Sequence, residues 1–374
     1  MSGAHVHGEP LTDVAGAAPV RDEDAFDVDR VAVWLRENAS DAAGLDGRPE
    51  VQQFVGGASN LTYLLRYAGG PASGGRDVIL RRPPAGTKAR GAHDMHREHD
   101  LQAALAPVFP LVPAMVAYCG DEEVIGSEFY VMERVDGTIL RRDVPAELGL
   151  DRDGVNALCR TAIDTLVDLH DVDLAASGLA ALDRGEGYVR RQVEGWSGRY
   201  RRARTPDVGD FEDTMAWIEA HQPHDLPHVL IHNDFRFDNL VLDPADPTRI
   251  VGVLDWELAT VGDPLMDLGS ALAYWVEAGD DPAFLAIRLQ PTHTPGMLTR
   301  AEVVQRYAEA RGLEVTPEQW LFYDVFGAFR LAGIAQQIYY RFHHGQTSNP
   351  AYGRFRDVVR ILDARCTTLL ARQS

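Results

Sequence analysis

The 374-residue sequence is short of cysteine, of positive charge and of uninterrupted apolar runs. Its three cysteines, Cys119, Cys159 and Cys366, are far apart and outside any CxxC or Cys/His spacing. That argues against a disulfide framework or a zinc site and fits reduced thiols in the cytoplasm. Lys and Arg number 36 against 56 Asp and Glu, a formal net charge of −20, with a pI near 5.0. Such a chain has no global basic field to gather nucleic-acid phosphates or an anionic membrane, so no nucleic-acid partner is expected. One charge-free stretch, AALAPVFPLVPAMVAYCG at 103–120, is interrupted by Pro107, Pro110 and Pro113, which a spanning helix would not tolerate. The first 26 residues lack a basic start followed by an apolar run, so no signal peptide is expected. What remains, 45% hydrophobic and 25% charged residues, is the composition of a soluble globular protein of two or three compact units.

Periodicity divides the chain. Residues 1–25 are small, polar and aperiodic and read as a flexible tail. DVDRVAVWLREN, with Val31, Trp34 and Leu35 on one side, reads as a short amphipathic helix. VQQFVG, NLTYLLRYA and DVILRRP then read as strands with glycine-rich connections, followed by a helix around 93–105 and the strand EFYVMERV at 128–135. After Gly137 the pattern turns helical: Val155, Leu158, Cys159, Ala162, Leu166 and Val167 recur at helical intervals. The reading is an α+β chain of two lobes, β-rich then mainly helical, joined near 134–138.

The chemistry concentrates between His232 and Asp267, where eight acids stand against two bases, Arg236 and Arg249. NLVL and RIVGVLD, separated by the turn-forming DPADPT, predict a hairpin that brings Asn239 and Asp255 to one open end, with Asp234 on the loop just before. A carboxylate that accepts a hydroxyl proton, beside an Asn/Asp oxygen pair that holds Mg²⁺ on phosphates, is what phosphoryl transfer requires. The competing reading is a solvated acidic loop of structural turns, which fits Asp243 and Asp246. His232 reads as a histidine packed into the loop, with metal ligation the lesser alternative.

His232-x-Asp234-x4-Asn239, followed by Leu254-Asp255-Trp256-Glu257 and GDPLMDLG (262–269), resembles the catalytic and metal motifs of the aminoglycoside phosphotransferase and choline kinase group, relatives of the protein kinases. GGASNLTYLL, VILRRPPAG, HREHDLQAAL, FYVMERVDG and FRLAGIAQQIYYR are most similar to the phosphotransferase-like domains found beside, or fused to, acyl-CoA dehydrogenases. The resemblance covers about residues 50–345. It implies a two-lobed protein-kinase-like fold: after the tail, a nucleotide-binding lobe at 26–135 and a catalytic, substrate-binding lobe at 136–374. It implies ATP and Mg²⁺, with Asp234 catalytic, Asn239 and Asp255 on the metal, and Asp263 and Asp267 bracing the region. Gly56, Gly57, Ser59 and Asn60 would form the loop over the ATP phosphates. Arg81, or less readily Arg82, stands where kinases carry a phosphate-binding Lys, with Glu98 its helix partner. Glu133 and Val135 lie where kinases bond adenine through main chain.

Several of these residues also admit plainer readings: Gly56-Gly57 as a hairpin turn, Glu98 as an exposed helix charge, and His93, His96 and His99 as a surface cluster rather than a metal site. The substrate signal is YVRRQVEGWSGRYRRARTP (188–206), with six arginines and one acid, Glu194. Arg190, Arg191, Arg199 and Arg202 are the candidate substrate contacts, suited to phosphates or carboxylates such as those on coenzyme A; a solvated basic face is the alternative. The expectation is therefore a cytoplasmic small-molecule kinase acting on a hydroxyl, with a hydroxyacyl-CoA as the favoured substrate and an acyl-CoA dehydrogenase as a partner. An aminoglycoside, choline or sugar kinase, a nucleotide-binding pseudokinase, and more distantly a metallohydrolase are the alternatives.

Overall fold

A computed structural model describes residues 16–54, 60–68, 75–84, 94–347 and 349–371. The chain forms two compact units. One takes residues up to Ala103 together with Pro113–Arg134; the other takes Ala104–Val112 and everything from Val135.

The first unit is a six-stranded antiparallel sheet in the order β1-β2-β3-β4-β6-β5, formed by β1 (Ala17–Pro19), β2 (Glu50–Phe54), β3 (Leu61–Tyr67), β4 (Arg76–Arg82), β5 (Met115–Cys119) and β6 (Phe129–Glu133). Successive side chains on a strand face opposite ways, which sorts its apolar residues into two layers. Tyr63, Leu65, Tyr67, Val78 and Leu80 pack with Val31 and Leu35 of helix α1 (Val28–Asn38). Leu64 and Ile79 pack on the other side with Met95, the first residue of helix α2 (Met95–Leu105). Residues 17–24 correct the expectation of a tail that runs to 25. Ala17–Pro19 pairs with Pro19↔Gln52 through Ala17↔Phe54, and Asp24 is buried, accepting from Gln53 Nε2 at 2.9 Å. Small residues give an edge strand no side-chain periodicity; backbone pairing and one satisfied carboxylate hold it.

The second unit is mainly helical. Its helices are α3 (Arg152–His170), α4 (Tyr188–Ala203), α5 (Glu212–Ala220), α6 (Pro264–Leu272), α7 (Pro282–Ala286), α8 (Arg300–Arg311), α9 (Pro317–His343) and α10 (Phe355–Ala371). The 27-residue α9 runs through its centre and packs against α10, α6, α4 and α5. Where α6 crosses α9, Gly269 and Gly327 face each other: a Cβ on Gly327 would lie 2.3 Å from the Gly269 carbonyl oxygen, so only glycine permits the approach. Two small sheets sit among the helices. The hairpin of β9 (Leu240–Leu242) and β10 (Ile250–Val253) gains a third strand, β7 (Thr138–Ile139), so the chain does not turn directly helical after Gly137. The other pairs β8 (Val229–Ile231) with β11 (Thr260–Gly262). All three cysteines are buried and free. Among the described residues, no helix is long and apolar enough to cross a membrane.

Candidate active site

In the second unit, the chain leaves β8 at Ile231 and enters the loop His232–Asn239, whose path is set by one carboxylate on α6. Asp267, fully buried, accepts the backbone N–H of His232 at 2.7 Å and of Asn233 at 2.7 Å. It also takes His170 Nε2–H at 3.1 Å, while His170 Nδ1 lies 2.6 Å from the Tyr307 hydroxyl. Burial holds His170 below its ordinary pKa, even against the Asp267 carboxylate, so the ring is neutral and accepts from Tyr307. Burial works against ionised Asp267, but the His170 bond and the backbone donors keep its carboxyl below the usual range. Asp263 caps α6 through Leu265 and Met266 N–H and also accepts Leu226 N–H at 2.8 Å.

His232 is a loop histidine rather than a metal ligand. Its Nε2–H donates to the Leu254 carbonyl at 3.0 Å, which leaves Nδ1 to accept Asp234 N–H at 3.3 Å, and its ring lies 4.8 Å from that of Trp256. The Asp234 carboxylate is held on both sides: Asn239 Nδ2 donates to Oδ2 at 3.1 Å, and Arg236 Nε lies 3.0 Å from Oδ1. Arg236 also lies 3.3 Å from Asp238 and over the Tyr274 ring at 4.5 Å. Asn239 Nδ2 donates to the Asp234 carbonyl as well, at 2.9 Å, so Oδ1 is the atom the side chain has left to accept with.

The β9–β10 hairpin turns at 243–249, and Leu254 N–H donates to the Asn239 carbonyl at 2.8 Å, which sets Asp255 one residue from Asn239's partner. Asn233 and Asp255 both adopt left-handed backbone, φ 64° and 68°, which costs a non-glycine residue energy and clusters at functional sites. An amide oxygen and a carboxylate are hard donors of the kind that hold Mg²⁺ together with phosphate oxygens. The donor set fits that ion.

In the first unit, the adjacent arginines at the end of β4 face opposite ways. Arg82 turns to α1's side of the sheet, donating to the Asp24 carbonyl at 2.6 Å and to the Tyr63 hydroxyl at 3.0 Å. Arg81 turns to α2, with Nη1 3.8 Å from Glu98 Oε2. Glu98 is 2% exposed, not a solvated helix charge, and also accepts from Asn60 Nδ2 at 2.9 Å and the Tyr130 hydroxyl at 3.0 Å. Glu133 pairs with Arg76 and its N–H donates to the Ala114 carbonyl at 2.8 Å. Val135 belongs to the second unit and packs over Gly252, where a Cβ would come within 2.8 Å of its Cγ1. Gly56, Gly57 and Ser59, and His93, lie outside the described residues. His96 and His99 sit beside the Tyr118 ring, and among the described residues no three His, Cys, Asp or Glu side chains gather to hold a metal.

The arginine segment forms α4, and its guanidiniums divide. Arg191 donates to the Gly185 and Glu186 carbonyls at 2.8 and 2.5 Å and closes the turn before the helix. Arg201 and Arg204 pair with Glu212. Arg190 is exposed near the start of α4. Arg199 and Arg202 line an open pocket of about 250 Å³ with residues of α9.

Three supporting residues escaped sequence reasoning. Arg330 on α9, 6% exposed, donates to the Asn233 carbonyl at 3.0 Å; Gln290 accepts Phe237 N–H at 2.8 Å; His170 braces Asp267 from α3. Each acts from outside the motif, where only FRLAGIAQQIYYR carried any signal, and for Arg330 alone.

Comparison with known proteins gives the chain's family and fold. A family model described as a phosphotransferase enzyme family matches residues 50–311. The chain is 34% identical to acyl-CoA dehydrogenase family member 10 of Mus musculus, over 90% of this chain and 30% of that protein. It is 34% identical to family member 11 of Gallus gallus, over 88% of this chain and 41% of that protein. The chain thus spans less than half the length of these curated relatives. Among solved structures, a Ralstonia eutropha JMP134 protein provisionally named an aminoglycoside phosphotransferase superposes with TM-score 0.76 at 29% identity, covering 93% of this chain and 99% of that one. A Cryptosporidium parvum Iowa II choline kinase shares the fold, with TM-score 0.59 at 12% identity over 93% and 95% of the two chains. So does a thermostable mutant of an aminoglycoside phosphotransferase solved with AMP-PNP and hygromycin B, with TM-score 0.53 at 15% identity over 91% and 97%. The fold is the two-lobed α+β fold of the kinase-like phosphotransferases.

Proposed function

Because the chain belongs to the phosphotransferase enzyme family, we propose that it is an ATP- and Mg²⁺-dependent kinase that transfers the γ-phosphate to the hydroxyl of a small molecule, with hydroxyacyl-CoA or a related acyl hydroxyl as the acceptor class. The observation that carries this reading is the Asp234 carboxylate, oriented by Asn239 Nδ2 and Arg236 on a loop pinned by Asp267.

Asp234 orients the acceptor hydroxyl. The oxygen forms a bond to the γ-phosphorus as the bond from that phosphorus to the β,γ-bridging oxygen breaks; ADP leaves and the hydroxyl proton passes to Asp234. Asn239 Oδ1 and Asp255 hold the magnesium, which supplies charge neutralisation to the phosphates when bound. In the first unit, Arg81, positioned by Glu98, serves the nucleotide phosphates together with Asn60 and with Gly56, Gly57 and Ser59. Glu133 and Val135 serve the adenine through main chain. The names of the curated relatives support an acyl-CoA context and an acyl-CoA dehydrogenase as partner, and the arginines of α4 support an anionic substrate over a polycationic one.

Coupled ADP release tests the reading, with 3- and 4-hydroxyacyl-CoAs compared against aminoglycosides, choline and sugars. Turnover on the acyl-CoA set that disappears in Asp234→Asn is the expected result. Turnover on amino sugars or choline alone would keep the chemistry and overturn the acceptor class. A second reading, a nucleotide-binding module without turnover, draws on Arg81 in the place of a kinase lysine; ATP binding with no turnover on any alcohol would favour it.

A further inference from the structure

The pocket between α4 and α9 is a basic site in an acidic protein. Arg199 and Arg202 on α4 line it with Gln337, Tyr340 and Arg341 on α9 and Gln346 just beyond. In a chain of net charge −20 most arginines find carboxylates, as Arg201 and Arg204 do with Glu212. Among the described residues, Arg199, Arg202 and Arg341 have no carboxylate within ion-pair distance. Burial pulls the Arg199 guanidinium below its ordinary pKa, and the charged neighbours that bear on it, Arg202 and Arg330, are arginines too. Gathering like charges is unfavourable unless an anion joins them, and the guanidinium fork is suited to phosphate.

The pocket is tied to the candidate active site by a stack. The Trp196 ring lies under Arg199 at 4.7 Å and under Arg330 at 5.3 Å, and Arg330 bonds the carbonyl of Asn233, the residue before Asp234. Along α9, Gln337 and Arg341 lie seven and eleven residues beyond Arg330, a run of roughly 10 to 16 Å at the α-helical rise. A substrate whose reacting hydroxyl and phosphate groups sit at opposite ends of a long molecule matches that separation.

We propose that the Arg199–Arg202–Arg341 pocket is a subsite for the phosphate end of the acceptor, coenzyme A's phosphates in the reading above, with Gln337 and Tyr340 as neutral hydrogen-bonding neighbours. The proposal rests on the acyl-CoA reading for its ligand and on the pocket's own charge for its site. It makes Arg202 and Arg341, which are exposed and form no side-chain hydrogen bond or ion pair among the described residues, determinants of substrate affinity.

Calorimetry on the full chain, with the nucleotide site saturated by AMP-PNP and Mg²⁺, tests it with three probes: coenzyme A, adenosine 3′,5′-bisphosphate and pyrophosphate. Coenzyme A and the bisphosphate should bind alongside AMP-PNP. Arg202→Ala and Arg341→Ala, checked for an unchanged melting temperature, should each weaken both about tenfold, the loss of one charge-assisted hydrogen bond. Arg202→Lys should recover part of that affinity. Unchanged affinity in both variants, or no coenzyme A binding once AMP-PNP is present, would overturn the subsite. Pyrophosphate binding as tightly as coenzyme A, with the same arginine dependence, would make it a site for free anions and overturn the substrate role. Arginine-dependent binding of coenzyme A without phosphorylation of any hydroxyacyl-CoA would leave the pocket standing and overturn the kinase reading alone.

Discussion

Each unit keeps a carboxylate removed from water beside its candidate site residues, Glu98 at 2% exposure and Asp267 at 0%, and the two are satisfied in different ways. Glu98 is ringed by side chains, those of Asn60, Tyr130 and Arg81. Asp267 takes two consecutive backbone N–H groups and one imidazole. A carboxylate bonded to side chains orients side chains; one bonded to backbone dictates where the chain runs. The first kind positions an arginine. The second shapes a whole loop, and it keeps Asn233 in a left-handed conformation that the loop would not hold unaided.

The largest expected effect is therefore at Asp267. Asp267→Asn leaves one oxygen acceptor and puts an NH2 donor where the other met backbone N–H, at Asn233 or at His232 and His170, and it removes the buried charge, which should cost about 3 kcal/mol in chemical denaturation. Glu98→Gln keeps the shape and part of the bonding to Asn60 and Tyr130, so its loss should be about 1–2 kcal/mol. Equal losses in the two variants would break the comparison. Arg330→Met removes the bond to the Asn233 carbonyl and the contact with Trp196, and should cost about 1–2 kcal/mol. If the loop account holds, activity in that variant falls further than stability does.

The smallest effect sharpens the same contrast through pH. His228 lies 2.8 Å from Asp183 and 3.1 Å from Asp225, and Asp225 accepts N–H of Gly187, Tyr188 and Val189 at the start of α4. Burial works against the charged ring, yet the two carboxylates raise its pKa above the ordinary 6.5. A raised pKa means that the protonated ring's stabilisation is complete below about 6.5 and is lost as pH climbs through the folded-state value. His228→Gln should then lower the melting temperature at pH 6 and hardly at all at pH 9. A pH-independent difference would contradict the assignment.

Legibility in the sequence followed the range of the interaction. The strands 61–67 and 76–82 are readable as short apolar runs between glycine-rich connections, because residues on both of their faces are buried, and the helix 152–170 is readable from apolar residues at helical intervals, because they share its buried side. The juxtaposition of Asn239 with the end of β10 is readable because a DPADPT turn brackets two short apolar runs. Contacts made across the chain carry no local pattern. His170 and Asp267 are 97 residues apart, as are Asn233 and Arg330. The arginine helix shows the same limit from the other side. Six guanidiniums are visible in sequence, but only the fold tells that Arg191 closes a turn and that Arg201 and Arg204 meet Glu212, while Arg199 and Arg202 line a pocket.

The most direct test of the central claim is a rapid-quench single turnover with γ-³²P-ATP and a hydroxyacyl-CoA, comparing the native chain with Asp234→Asn at equal nucleotide occupancy. The account predicts label on the acyl hydroxyl of the native product and at least ~10³-fold slower transfer in the variant, the scale of losing an oriented general base. Equal rates in the two proteins, or no labelled acceptor from a native chain with ATP bound, would contradict it.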